Sequence, residues 1–261
     1  MNLGLLLDQA LLLMLVFLRV ATALAMMPVF GYRGVALPVK VGLSAFLALL
    51  LMPGIQRAAG VNLENAGLLT FIALAVPEIM AGLALGMVCG FIFYGVELAG
   101  QVVGIQMGFG IVSVIDPNTE EQISIISQLQ YLFAMLIFLT FNGHHFLLEG
   151  LAQSFRVIPL SGAHLPAGLV ETFVRLSADM FVAAVKIAAP VMAALFLSEV
   201  ALGIIARTVP QMNIFIVGFP LKIGVGLLAL ALSWPLFTYV LQLLWKNFQG
   251  DWGRFIALMG R

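Results

Sequence analysis

Charged side chains are scarce in this sequence. Twelve basic and 12 acidic residues stand among 261, so that only 9% of the chain is charged and the formal net charge is zero. A typical soluble domain has roughly 25% charged residues. The composition therefore argues against a soluble domain, and the absence of a basic excess predicts that nucleic acid is not a partner.

Cysteine is almost absent as well. Cys89 is the only one, which excludes a disulfide framework and a cysteine metal site. Because Cys89 lies within an apolar run, we interpret it as a small buried hydrophobic residue.

Candidates for catalysis or metal binding are few. The stretch FNGHHFLLEG contains His144, His145 and Glu149, but the only other histidine is His164, in a predicted loop. There is no HExxH pair and no phosphate-binding glycine loop. We interpret these polar groups as a helix end at a membrane interface, and we predict neither an enzyme nor a cofactor.

Long apolar runs fill most of the chain, which is 62% hydrophobic. Several windows exceed the ~20 apolar residues that cross a bilayer. Their composition favours helices, and the alternation of a membrane β-barrel is absent. The sequence predicts an all-α polytopic integral membrane protein forming a single integrated domain, 1–261. Its six apolar segments are Leu5–Met27, Val35–Met52, Leu68–Val96, Ile123–Leu148, Phe173–Arg207 and Ile214–Trp245.

Two sequence features bear on topology and helix shape. The tail 246–261 carries three basic residues against one Asp, which places it in the cytoplasm by the positive-inside bias. Six crossings then place the N-terminus inside and the connection Glu97–Gln122 outside, although Arg33 and Lys40 fall on the wrong side. Helix kinks are predicted at Pro190, Pro220 and Pro235.

Small residues recur at helical spacing in two rows. These are Gly82, Gly86 and Gly90, followed by Gly100, Gly104 and Gly108. Such rows let helix backbones approach closely in lipid. They predict close packing, either within the chain or against other subunits.

Charges inside apolar segments are candidates for function, because they are unfavourable in lipid. Glu199 and Lys222 come level if Thr208–Asn213 is the turn of an antiparallel helical hairpin. We favour a structural ion pair over an ion-coupling site. Asp179 and Lys186 share a helix face two turns apart, too far for an ideal contact.

The stretch GIQMGFGIVSVIDPNTEEQ, from Gly104 to Gln122, differs from the apolar segments on both sides. Its end predicts a helix start, with Thr119 as N-cap and Gln122 closing a capping box. Its three glycines and β-branched residues predict irregular, non-helical backbone. Irregular apolar backbone cannot face lipid, because its amides would lack hydrogen bonds. We expect protein to enclose it, and a ring of partner subunits could do so.

The chain resembles the FliR family of flagellar type III export-gate proteins, with relatives in virulence injectisomes. Three stretches carry the resemblance: GIQMGFGIVSVIDP (104–117), LIFLTFNGHHFLLEGLAQSFRVIP (136–159) and LFLSEVALGIIARTVPQMNIFIVGFPLKI (195–223). It covers essentially the whole chain.

The resemblance implies a fold, a function and partners. The fold would consist of kinked helical hairpins in a pore-forming helical complex with FliP and FliQ, and FlhB would be a neighbour. Residues 1–172 would be FliP-like and 173–245 FliQ-like. The complex would lie in the bacterial inner membrane, in the flagellar basal body, and pass unfolded flagellar proteins as substrates.

The resemblance also implies a loop at about 106–122 that plugs the closed pore. The residues assigned to this plug are Gln106, Met107, Gly108, Phe109, Gly110, Ile111, Val114, Ile115, Asp116 and Pro117. The alternative function is a small-molecule or ion-coupled secondary transporter. That function would require broken helices in two related halves, and the sequence has no such symmetry.

Overall fold

A computed structural model describes residues 3–32, 34–56, 67–109, 124–160, 167–209, 211 and 213–260. Within these residues the chain is α-helical, with no strand. The helices are α1 (Leu3–Met26), α2 (Leu37–Gln56), α3 (Leu68–Met107), α4 (Ile125–Thr140), α5 (Gly143–Val157), α6 (Ala167–Thr208) and α7 (Ile214–Met259). Five are long and apolar enough to cross a membrane, and α4 with α5 adds a sixth if the two form one broken span. The predicted all-α polytopic fold is confirmed.

The largest differences from the predicted segments concern α3, α7 and the fourth segment. Helix α3 continues to Met107 rather than ending at Val96, and α7 continues past Trp245 to Met259. The predicted fourth segment divides into α4 and α5 at Asn142, whose backbone is left-handed with φ 54°. Asparagine is among the few residues that adopt this conformation readily, which explains why one continuous helix is interrupted there.

The chain folds as two compact units, each assembled from separate parts of the sequence. The first comprises Met1–Phe91, Phe138–Leu176 and Asn247–Arg261, and the second comprises Ile92–Ile137 and Ser177–Lys246. The proposed FliP-like and FliQ-like division at residue 172 stays a prediction.

In the first unit, glycines bring α1 against α3. A Cβ atom at Gly82 would overlap the Arg19 carbonyl and the Thr22 side chain, and one at Gly86 would overlap Ala23 and Met26. The end of α7 belongs to this unit, where Phe248, Trp252 and Phe255 are buried. Residues 247–259 are therefore packed helix within the first unit.

In the second unit, α3 contacts α4 and α6 through the same kind of small residue. Gly95 faces the Met180 carbonyl on α6, and Gly100 faces the backbone of Ser127 on α4. The ring of Phe93 also lies 5.7 Å from that of Tyr131, centroid to centroid. The glycine rows could pack within the chain or against other subunits. Gly82, Gly86, Gly100 and Gly104 pack within the chain.

Candidate functional site

An ion pair lies at the centre of the first unit. Arg19 of α1 donates from Nε to Glu78 Oε2 at 2.6 Å and from Nη2 to Glu78 Oε1 at 3.0 Å. Both side chains have no exposed surface. Two parallel N–H···O bonds between a guanidinium and a carboxylate are the strongest geometry available to such a pair.

The same guanidinium also binds the C-terminal end of α5. Nη1 donates to the Ile158 carbonyl at 3.0 Å and to the Ser154 carbonyl at 3.5 Å, and Nη2 reaches the Pro159 carbonyl at 3.4 Å. The last carbonyls of a helix lack partners within it and form the negative end of its dipole. Arg19 supplies both hydrogen bonds and positive charge at that end.

The ring of Phe155 completes the surroundings of Arg19. The guanidinium carbon lies 4.4 Å from the ring centroid, within the range of a cation–π interaction. With a carboxylate, three carbonyls and a ring around it, Arg19 connects α1, α3 and α5. Since both charges are enclosed and satisfied, the pair suits a structural role better than ion transport.

The C-terminal end of α3 is the first part of the predicted plug region. Gly108 N–H donates to the Ile105 carbonyl and Phe109 N–H donates to the Gly104 carbonyl, each at 3.0 Å. These two bonds form a Schellman motif, in which the residue after the helix is left-handed. Gly108 occupies that position with φ 97°. The helix therefore ends where glycine permits it.

This helix end is packed closely within the second unit. Met107 has no exposed surface, and a Cβ atom at Gly226 of α7 would lie 2.7 Å from the Met107 side chain. A Cβ atom at Gly108 would lie 2.8 Å from the ring of Phe219. The contacts with α7 thus hold Met107 and Gly108 in place.

The structure describes only part of the predicted plug. Gln106 and Met107 are helical, and Gly108 and Phe109 form the turn after the helix. The expectation of non-helical backbone from Gly104 is wrong through Met107, because Gly104 packs face to face with Ser124 as part of α3. The capping residues Thr119 and Gln122 lie outside the described residues. So do the remaining plug residues, which are Gly110, Ile111, Val114, Ile115, Asp116 and Pro117.

Glu199 and Lys222, the pair expected from hairpin spacing, are in contact in the second unit. Lys222 Nζ lies 2.5 Å from Glu199 Oε1, and the side chains are 24% and 47% exposed respectively. They come from α6 and α7, which follow each other along the chain. A role in fixing the register of this hairpin stays a prediction.

His144, His145 and Glu149 do not come together with further ligands. Among the residues that the structure describes, no three His, Cys, Asp or Glu side chains could hold a metal ion. His144 and His145 instead lie at the N-terminal end of α5, with ring centroids 4.3 Å apart.

Arg19 and Glu78 were not predicted as a pair from the sequence. Both are charges within apolar segments, which is the signal that led to Glu199 and Lys222. Their separation of 59 residues gave no spacing from which to infer a contact.

The helices of membrane-spanning length define a polytopic helical membrane protein, and comparison with known families gives its class. The model of the family described as bacterial export proteins, family 1, matches residues 10–248. The chain belongs to this family.

Individual relatives make the relationship more specific. The chain is 38% identical over 221 residues to the flagellar biosynthetic protein FliR of Bacillus subtilis, covering 83% of each chain. It is 31% identical to FliR of Escherichia coli, covering 84% of this chain and 82% of the relative. FliR of Pectobacterium carotovorum is 30% identical, at 84% and 83% coverage. The resemblance to the FliR family is confirmed, and the chain is a membrane-embedded flagellar export protein.

Proposed function

We propose that this chain is a subunit of the export gate of the flagellar type III secretion apparatus in the bacterial inner membrane. It would assemble with FliP and FliQ, beside FlhB, into the pore through which unfolded flagellar proteins pass. It carries out no enzymatic reaction in this role. Membership of the bacterial export family and similarity to flagellar proteins along most of the chain support the proposal.

Within that gate, we propose that the segment 106–122 closes the pore. The observation that carries this is the anchored end of α3: the Schellman turn at Gly108 and the packing of Met107 against Gly226. A closing segment must be held firmly at its base while the gate opens and shuts. Met107 and Gly108 provide such a base.

The seal itself would come from apolar side chains. Phe109, Ile111, Val114 and Ile115 have side chains without hydrogen-bonding groups, so a ring of subunits that encloses them would exclude water and hydrated ions. Met107, which was predicted to be part of the seal, has no exposed surface and belongs to the base. Asp116 and Pro117 would end the seal.

Deletion of Gly108–Ile115 tests the closing role. Cells with the complete export gate should become leaky to small ions, because the pore loses its apolar seal. A strain that carries the deletion but lacks FliP is the control, since it assembles no pore and should not leak. A deletion variant that assembles at the wild-type level without leakage would show that this segment is not the plug.

Copurification tests the assembly and separates it from the transporter alternative. An export-gate subunit extracted in mild detergent should carry FliP and FliQ, identified by mass spectrometry. A secondary transporter should instead run alone or as a homodimer. Recovery of the chain without FliP and FliQ from a motile strain would contradict the proposal.

A further inference from the structure

Helix α6 has one packed face and one free face within the second unit. Its packed face includes Ala183, Ile187, Val191 and Leu195, each less than 5% exposed. Gly95 of α3 approaches this face at the Met180 carbonyl, where an added Cβ would lie at 3.0 Å. The opposite side of α6 is exposed in the chain.

The exposed side of α6 follows helical spacing. We define the outer stripe by five exposed residues that lie on one side of the helix: Asp179, Val182, Val185, Lys186 and Ala189. Val182 and Val185 are 50% and 64% exposed. The outer stripe is therefore apolar except for one acid and one base.

Neither charge of the outer stripe has a partner among the described residues. The two are seven residues apart, which is about 10 Å along a helix, too far for them to pair with each other. This distinguishes them from Glu199, whose carboxylate Lys222 contacts on the same helical hairpin.

The position of these charges makes exposure to lipid unfavourable. Residues Gly168–Thr208 of α6 form a candidate membrane span. A membrane crossing takes ~20 residues. Any such stretch of this span that begins before Ile187 includes Asp179, Lys186 or both. A lysine can extend its amine towards the membrane surface, but an aspartate is too short to do so. Charges inside the membrane usually face protein and pair there.

We propose that the outer stripe of α6 binds a membrane helix of another subunit, which presents a carboxylate level with Lys186 and a cation level with Asp179. The stripe residues between the two charges are two valines, whose short side chains allow that helix to lie close. The partner's charges would be about 10 Å apart along its axis, matching the spacing in α6.

A second copy of this chain cannot pair symmetrically through the outer stripe. Two copies inserted with the same orientation have parallel α6 helices, so a symmetric contact would oppose Asp179 to Asp179 and Lys186 to Lys186. The occupant is therefore a different helix with complementary charges. This inference rests on the proposed function, in that the helix belongs to another membrane subunit of the export gate.

Charge reversal in cells with all gate components tests the surface. Asp179→Lys and Lys186→Glu should each lower recovery of the assembled complex by about tenfold or more, because like charges then face each other without water. The exchanged variant Asp179→Lys/Lys186→Glu should not recover, since both contacts with the partner remain repulsive. The neutral variant Asp179→Asn/Lys186→Gln should also assemble poorly, because it leaves the partner's charges unpaired.

Two controls make the result interpretable. Complex recovery is divided by the amount of chain inserted in the membrane, so a failure to insert is not counted as a failure to assemble. Lys246→Glu reverses an exposed charge on α7, away from the outer stripe of α6, and should assemble normally.

Three results would overturn the proposal. Wild-type assembly of the exchanged variant would mean that no charged partner faces the stripe. Equal or better assembly of the neutral variant would mean that lipid covers it. A defect confined to Lys186 variants and dependent on anionic lipid would identify a headgroup as the occupant. If the wild-type chain itself forms no complex with gate subunits, the proposed function fails instead.

Discussion

Arg19 and Glu78 form a two-bond ion pair with no exposed surface on either side chain, and the same arginine binds three carbonyl groups at the end of α5. One side chain thus connects three helices that are distant in sequence. Removal of one partner from a buried pair leaves an uncompensated charge, which usually costs ~3–5 kcal/mol.

The first prediction concerns this pair. Arg19→Ala and Glu78→Ala should each destabilise the chain by about 3–5 kcal/mol and lower its amount in the membrane. Arg19→Lys should restore little, because an ammonium cannot form the two-bond fork and reach the carbonyls together. Protease resistance of the chain after detergent extraction is the measurement.

A double replacement separates the two roles of Arg19. Arg19→Met/Glu78→Leu removes both charges, and such replacements are often neutral when the pair is the only interaction lost. Here we expect partial recovery only, since the carbonyls of Ile158 and Pro159 still lose the guanidinium as a donor. Full recovery would show that these carbonyl contacts are dispensable.

The control is Arg175→Ala. The Arg175 side chain is 52% exposed and lies 3.4 Å from Asp251, so this ion pair should contribute less than ~1 kcal/mol to the stability of the chain.

The second prediction concerns Glu199 and Lys222. Because the pair is partly exposed in the chain, single replacements by alanine should alter the stability of the detergent-extracted chain by less than ~1 kcal/mol. In the assembled complex the single replacements should reduce stability more. Replacement of both residues should reduce it less than either single replacement. Complex recovery from membranes measures this. Additive damage in the double variant would argue against a direct pair.

The third prediction uses glycines with different surroundings. Gly100→Ala should destabilise the second unit, because the new Cβ would lie 2.9 Å from the Ser127 nitrogen. Gly224→Ala is the matched control: nothing lies within 4 Å of its Cβ position, and alanine favours a helix by about 1 kcal/mol. Heat resistance of the extracted chain should fall for the first variant and hold or rise for the second. Equal behaviour would mean that α3 and α4 can separate without cost.

The location of the helices could be predicted from the sequence, but their ends could not. Apolar runs marked every long helix, since hydrocarbon thickness fixes a minimum length. The glycines at 104, 108 and 110 predicted non-helical backbone, because glycine weakens isolated helices. In the fold, the missing side chains of Gly100 and Gly104 let Ser127 and Ser124 approach, and α3 stays helical to Met107.

Of the two ion pairs, one could be predicted from the sequence and the other could not. Glu199 and Lys222 are symmetric about a short turn, so antiparallel geometry alone brought them level. The contact between Arg19 and Glu78 depends on how α1 lies across α3, which Gly82 and Gly86 determine by steric fit. Such a fit cannot be predicted from residue spacing. Two charges of opposite sign in apolar helices nevertheless indicate a candidate ion pair.

The last prediction concerns Gly108, whose backbone has a positive φ of 97°. Gly108→Ala should impair the chain for two reasons. An L-residue in the left-handed region costs roughly 1–2 kcal/mol, and the new methyl group meets the ring of Phe219. Gly108→Val should be worse on both counts, since a branched side chain is larger and less tolerant of this conformation.

A double-mutant cycle with Phe219→Leu separates strain from overlap. If overlap matters, Gly108→Ala should be less harmful when Phe219 is already leucine, and the remaining defect measures the backbone strain. Secretion of flagellar proteins and recovery of the complex are measured together, with membrane insertion expected to stay unchanged. Gly203→Ala, which meets nothing within 4 Å, controls for the general effect of a methyl group. Normal secretion with valine at position 108 would show that the turn after α3 can form without glycine, and that the anchored base proposed for the plug is not required.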